Sequence, residues 1–162
     1  MSYLTDCLES AIYVPKIKCR DKKDLLHNIA YLMLENQGFS KDFIENVFNI
    51  FLYREKLCTT DFGKGIAFPH ARLDMLHINF LQLGFFTVDP PIDYDAIDNK
   101  PVFFIGAILV PDSKHYIDNY LEVLACLAEL VLDKSVMSNI TQLETPDQLK
   151  SHIINWTLTV PT

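Results

Sequence analysis

The chain has 162 residues, 49% of them apolar, and its 14 basic and 21 acidic side chains leave a formal charge of -7. That is enough for one domain with a sizeable core, and too acidic to favour nucleic-acid binding, since the longest basic cluster is the segment KIKCRDKK, Lys16 to Lys23. The longest apolar run, VFFIGAILV from Val102 to Val110, falls well short of the ~20 residues of a membrane helix and reads as a buried strand.

In chain order, the start MSYLTDCLES carries Asp6 and Glu9 where a secretory signal would be basic and then apolar, so the protein is expected in the cytoplasm. Ile12 to Val14 and Ile17 to Cys19 are short β-like pieces around Pro15. Asp21 is placed to cap a helix with Leu25, Leu26, Ile29, Leu32 and Met33 on one stripe, and Gly38 stands just past its end. Ser40 caps a second helix, with Phe43, Ile44, Val47, Phe48 and Phe51 at helical spacing, that runs to about Lys56.

Phe80 to Val88 and Val102 to Val110 are nearly continuous apolar runs, as strands covered on both faces are. DPPIDYDAIDNKP between them, with three prolines and four aspartates, reads as a loop. From about Asp118 the set Leu121, Leu124, Ala125, Ala128 and Val131 predicts a long helix. Thr145, Pro146 and Gln148 form a capping-box start for a last helix bearing Leu149, Ile153 and Trp156. Helices at both ends around buried strands predict an α/β three-layer sandwich: a mixed sheet with helices on both faces, one domain over residues 1–162. Cys7, Cys19, Cys58 and Cys126 form no C-x-x-C pair and read as reduced, mostly packed thiols.

The stretch GKGIAFPHAR, Gly63 to Arg72, is where chemistry is expected. Gly63 and Gly65 allow positive φ, while Pro69 fixes its own backbone and pushes Phe68 towards an extended one. Ile66 and Phe68 alternate with Ala67 in strand fashion, so a short strand should deliver His70 to the end of the sheet, where such folds keep their reactive groups. The other histidines lack this punctuation, and His27 and His152 fall on predicted helices.

YREKLCTTDFGKGIAFPHAR, Tyr53 to Arg72, resembles the signature of the fructose/mannitol-type enzyme IIA domain of the bacterial phosphoenolpyruvate-dependent phosphotransferase system, including its nitrogen-regulatory branch. PPIDYDAIDNKPVFFI and NYLEVLACLAEL extend the likeness over nearly the whole chain. The resemblance implies that Nε2 of His70 takes a phosphoryl group from an HPr-like protein, with no metal and no cofactor, and that Arg54 lies beside it. A guanidinium suits phosphate oxygens in a way that lysine does not.

Glu55 either orients Arg54 or faces water. Thr59 and Thr60 offer hydroxyl donors at the turn, although turn-making is their commoner work. Backbone N–H groups around Gly63 to Gly65, or after His70, could line an anion nest. The imidazole nitrogen opposite Nε2 needs an acceptor to hold its proton, which the sequence does not identify. The family's second histidine is replaced here by Tyr120, so either the Tyr120 hydroxyl serves instead, as helix register favours, or His115 reaches in from the preceding loop.

Phe68, Met75 and Leu76 are expected to help meet a partner protein. With every residue taken up by one domain, no fused IIB, IIC or HPr region is expected, which leans towards a regulatory carrier that binds target proteins. A stand-alone sugar-uptake carrier passing phosphate to a IIB domain is the alternative. A metal-dependent enzyme using His70 with Asp74 or His77 is the weakest reading, because Pro69 leaves little helix to bring them onto one face.

Overall fold

In a computed structural model, which describes residues 3–74 and 78–159, the strands form one mixed sheet with helices on both faces, the arrangement expected from the sequence. The strands are β1 (Ile12–Ile17), β2 (Asp61–Gly63), β3 (Ile66–Ala67), β4 (His70–Leu73), β5 (Gln82–Ile92) and β6 (Val102–Pro111). The helices are α1 (Tyr3–Glu9), α2 (Lys22–Leu34), α3 (Lys41–Leu57), α4 (Ile117–Leu132), α5 (Lys134–Met137) and α6 (Pro146–Thr159). No helix among the described residues is long and apolar enough to cross a membrane.

The sheet order is β1-β5-β6-β3-β2, and β4 also pairs with β6. β5 and β6 are antiparallel partners at the centre, with β1 parallel to β5 and both β3 and β4 parallel to β6. One face carries α2 and α3, whose Leu25, Ile29, Met33, Ile44, Val47 and Phe51 pack on Phe86, Ile105, Ala107 and Leu109. The other carries α1, α4 and α6, packed on Phe85, Phe104 and Ile108. Covering on both sides is why β5 and β6 are apolar almost throughout.

The helix starts follow their capping residues. Asp21 Oδ1 accepts from the Asp24 N–H at 2.8 Å, and Ser40 Oγ from Phe43 N–H at 3.2 Å. Thr145 Oγ1 accepts from Gln148 N–H while Gln148 Oε1 accepts from Thr145 N–H, a reciprocal pair that satisfies two orphan donors.

Three expectations need correction, and one helix was not located in advance. Tyr3–Glu9 is helical, with Cys7 and Leu8 buried; its single turn or two is too short for a periodicity to stand out. One strand, β1, runs through Pro15 and ends at Ile17, short of the expected Cys19; it tolerates the proline because it lies at the sheet edge, where a missing N–H costs no ladder bond. β5 runs on to Ile92 through the expected loop start, with Asp89 to Pro91 exposed across an irregularity in its pairing with β6. The buried stripe of α4 is Val123, Leu127, Leu130 and Val131, and Leu121 is 55% exposed; an apolar helix with a second apolar stripe does not reveal by spacing alone which stripe meets the sheet.

The hairpin from β2 to β3 fixes the approach to His70. Gly63 and Gly65 have φ of 92° and 85°. A Cβ on Gly65 would stand 2.5 Å from the Phe103 ring and 3.1 Å from the Pro101 carbonyl oxygen. Gly65→Ala is therefore expected to lower stability by roughly 2–4 kcal/mol, from left-handed strain and overpacking together. Urea unfolding would read this as a lower midpoint, and an unchanged midpoint would contradict it.

Candidate functional site

β3 and β4 are two parts of one strand line along β6, flanked by β2 at β3 and open at β4. Ala67 stands opposite Ile105 and His70 opposite Ile108, so the register on β6 is kept across Phe68 and Pro69. His70 thus opens a strand along the side of the sheet, whereas the sequence predicts a short strand delivering it to the sheet's end. The interruption has a chemical consequence. Phe68 N–H donates to the Thr60 carbonyl at 3.0 Å, on the β2 side, and the next carbonyl, that of Pro69, accepts from Ile108 on the β6 side. A residue in a strand points its N–H and C=O the same way, and β2 begins only at Asp61, so the Phe68 carbonyl is left for a side chain. His70 Nδ1–H donates to it at 3.1 Å.

That bond fixes the tautomer. With its proton on Nδ1, the ring presents an unprotonated Nε2, which accepts from Arg54 Nε–H at 3.2 Å. Arg54 is held in turn: it lies in the last turn of α3 and its Nη1 donates to the Cys58 carbonyl at 2.8 Å, a C-terminal carbonyl that the helix itself leaves unpaired. Nη2 has no partner among the described residues. His70 is half-buried, and this burial is the main reason its pKa lies below the usual imidazole value. The Phe68 carbonyl works in the opposite direction, the charges of Arg54 and Arg72 add to the lowering, and Glu55 opposes it. The ring stays neutral, hence nucleophilic, to a lower pH than a free histidine.

Tyr120, on the first turns of α4, packs against the His70 ring with centroids 5.7 Å apart. Its burial raises the hydroxyl pKa, partly offset by the positive charges of Arg54 and Arg72, so it remains a hydroxyl donor at neutral pH. His115 is elsewhere. It is exposed in the Lys114–Tyr116 turn, its ring edge-on to Tyr116. Of the two candidates for the missing histidine's place, geometry brings Tyr120 to His70.

The remaining candidates are placed differently from the roles suggested for them. Glu55 neither orients Arg54 nor faces water. Its carboxylate accepts from the Thr60 N–H at 3.0 and 3.1 Å and from the Thr60 hydroxyl at 2.8 Å, and it pairs with Lys22 Nζ at 3.3 Å. Lys22 also lies over the Tyr94 ring, and the Tyr94 and Thr60 hydroxyls are 3.0 Å apart. Thr60 is consequently part of a buried cluster that ties α3 to the turn before β2, and Thr59 Oγ1 accepts from Asp61 N–H in that turn.

Gly65 is five residues from His70 along the extended chain, roughly 16 Å at strand rise, and is too far to bind there. The nest expected at Gly63 to Gly65 is filled by side chains of the protein itself: Gly63 N–H donates to Asp61 Oδ1 and Lys64 N–H to Asp98 Oδ2. Phe68 is only 7% exposed, its ring against Gly106 and Phe62, so it cannot meet a partner. Met75, Leu76 and His77 lie outside the described residues. Tyr53 (67%) and Leu57 (65%) are exposed apolar side chains beside His70.

Arg54, His70 and Arg72 line one cleft of about 500 Å³, together with Ile50, Tyr53, Leu57 and Ala71. A guanidinium on Nε2 is the wrong neighbour for a metal ligand, and no cluster of three metal-ligating side chains occurs among the described residues. What the cleft can do is hold an anion against a nucleophilic nitrogen. The Phe68 and Cys58 carbonyls, which aim the histidine and the arginine, were missed because backbone acceptors carry no sequence signal. Arg72 was missed although its spacing from His70 in a strand was readable.

The family model for "Phosphoenolpyruvate-dependent sugar phosphotransferase system, EIIA 2" matches residues 7–156. A protein of Haemophilus influenzae named nitrogen regulatory protein homolog is 34% identical over 128 residues, 79% of this chain and 76% of that protein. The nitrogen regulatory protein of Klebsiella oxytoca is 30% identical over 146 residues, 90% of this chain and 86% of that one. The crystal structure of nitrogen regulatory protein IIA-Ntr from Neisseria meningitidis has a TM-score of 0.78 at 27% identity, covering 94% of this chain and 99% of that chain.

Proposed function

The chain belongs to the EIIA 2 family of the phosphoenolpyruvate-dependent sugar phosphotransferase system, and on that premise we propose that it is a phosphohistidine carrier of the nitrogen-regulatory kind. His70 Nε2 receives the phosphoryl group from an HPr-like phosphocarrier in the cytoplasm, and the phosphorylation state governs which protein partners it binds. The observation that carries this reading is the pair of bonds on one ring: Nδ1–H held by the Phe68 carbonyl, and unprotonated Nε2 accepting from Arg54. The regulatory assignment rests on the relatives, which are named nitrogen regulatory proteins.

The step is a nucleophilic displacement at phosphorus. The Nε2 lone pair forms the new N–P bond, and the electron pair of the breaking bond returns to the donor's nitrogen. The Nδ1 proton stays where the Phe68 carbonyl holds it. Little covalent assistance is required in such a loose transfer, so positioning and charge screening supply the catalysis. Arg54 Nε–H, which points at Nε2 in the bare protein, already stands beside the phosphoryl oxygens as that lone pair is used. Tyr120 supplies a hydroxyl donor from the α4 side.

Incubation with phosphoenolpyruvate, enzyme I and an HPr protein tests the proposal: an acid-labile, base-stable adduct is expected, and its absence from wild-type protein would overturn the reading. Protein pull-downs that differ between the bare and phosphorylated forms would support regulation, whereas quantitative passage of the label to a IIB domain would favour the sugar-uptake alternative. Tyr120→Phe is expected to slow phosphorylation roughly three- to tenfold, the loss of one hydrogen bond to a charged group in a half-buried site. An unchanged rate would leave Tyr120 a packing residue only.

A further inference from the structure

Arg72 shares the cleft with His70 and Arg54, and no hydrogen bond or ion pair engages its guanidinium among the described residues. The edge strand determines where it points. Ala71 and Leu73 are buried in the core beneath α2 and α3, so by strand alternation His70 and Arg72 leave β4 on its other side, that of Tyr120. Their Cα atoms are roughly 6.6 Å apart at strand rise, within reach of an extended arginine. Its charge acts on both His70 and Tyr120.

We propose that Arg72 is a second phosphate-binding guanidinium, and that with Arg54 it makes the phosphorylated state of His70 the favoured one, so that the protein retains its phosphoryl group. This rests on the phosphocarrier reading. In the bare protein the neutral imidazole offers Arg54 a single hydrogen bond and gives Arg72 none. The phosphoryl group brings about -1.5 to -2 charges and three acceptor oxygens. Arg54, with Nη1 already committed to the Cys58 carbonyl, cannot cover three oxygens. Arg72 approaches from the strand side, Arg54 from the helix side and Tyr120 from α4, so the oxygens are shared among donors arriving from different elements. The transfer itself remains balanced as described: one N–P bond forms, one breaks, and the Nδ1 proton does not move.

The proposal is thermodynamic, and so is its test. A residue that only touches the docking partner, or only props the strand, changes forward and reverse rates together or affects both protein forms alike. It does not move the equilibrium constant. Wild type, Arg72→Gln and Arg72→Lys would be equilibrated with mixtures of phosphorylated and free HPr, and the phosphorylated fraction read by intact mass under alkaline conditions. Phosphoramidate, a small chemical phosphoryl donor, would be used alongside to label His70 without a protein partner.

Arg72→Gln is expected to lower the equilibrium constant roughly tenfold, the magnitude of an arginine–phosphate bond discounted for its exposure, with Arg72→Lys in between and the difference shrinking in 0.5 M salt. Wild type phosphorylated on His70, with an equilibrium constant unchanged in Arg72→Gln, would overturn the role of Arg72 alone. Wild type labelled by neither donor would overturn the carrier reading and this proposal with it.

Discussion

His70→Gln is expected to abolish phosphoryl uptake altogether, with no acid-labile adduct detectable after incubation with phosphoenolpyruvate, enzyme I and HPr. Glutamine matches the ring in approximate size and stays polar and uncharged. Its amide nitrogen, though, has no lone pair free to attack phosphorus. Since His70 is half-buried at an open sheet edge, thermal unfolding should shift by only a few degrees, so loss of uptake reports chemistry rather than collapse. An adduct persisting in the variant would move the acceptor to another histidine; His115, which is exposed, would be the first to examine.

Arg54→Ala is the second large effect. Its side chain donates Nε–H to the nitrogen that attacks and Nη1–H to the Cys58 carbonyl, so the group that would screen the incoming charge is already oriented before phosphate arrives. Preorganised donors of this kind are worth about 10²–10³ in rate when removed, and that is the expected slowing of phosphorylation. Arg54→Lys should not recover it, because one ammonium cannot serve two divergent acceptors in the fixed directions of a guanidinium. The cost in stability is small, about 1 kcal/mol for the lost bond to Cys58. A rate unchanged from wild type would remove Arg54 from the site.

What the sequence revealed follows from where its information lies. The caps at Asp21, Ser40 and Thr145 were readable because each acts on a backbone N–H three residues away. The central strands were readable because covering on both faces leaves an unmistakable apolar run. The glycine-proline punctuation pointed to His70, and the signature ending on it pointed to Arg54. The rest depends on long-range geometry. Glu55 is adjacent to Arg54 in sequence, yet it serves Thr60 and Lys22, because neighbouring helical residues project about 100° apart. The misread face of α4 came from the same source: Leu121 fits a helical stripe, but the sheet takes the stripe through Val123 and Leu127. The carbonyl that fixes the tautomer belongs to Phe68 for a reason invisible in the letters, the two-residue break between β3 and β4 that leaves it unclaimed by the sheet.

The central claim is that backbone geometry keeps a proton on Nδ1 of His70 and leaves Nε2 open to phosphorus. Long-range proton–nitrogen correlation NMR of the imidazole rings, recorded on the 15N-labelled protein before and after phosphorylation, tests it most directly. The account predicts the Nδ1–H tautomer for His70 in the bare protein and phosphorus bonded to Nε2 afterwards. A bare ring protonated on Nε2, or phosphorus bonded to Nδ1, would contradict it.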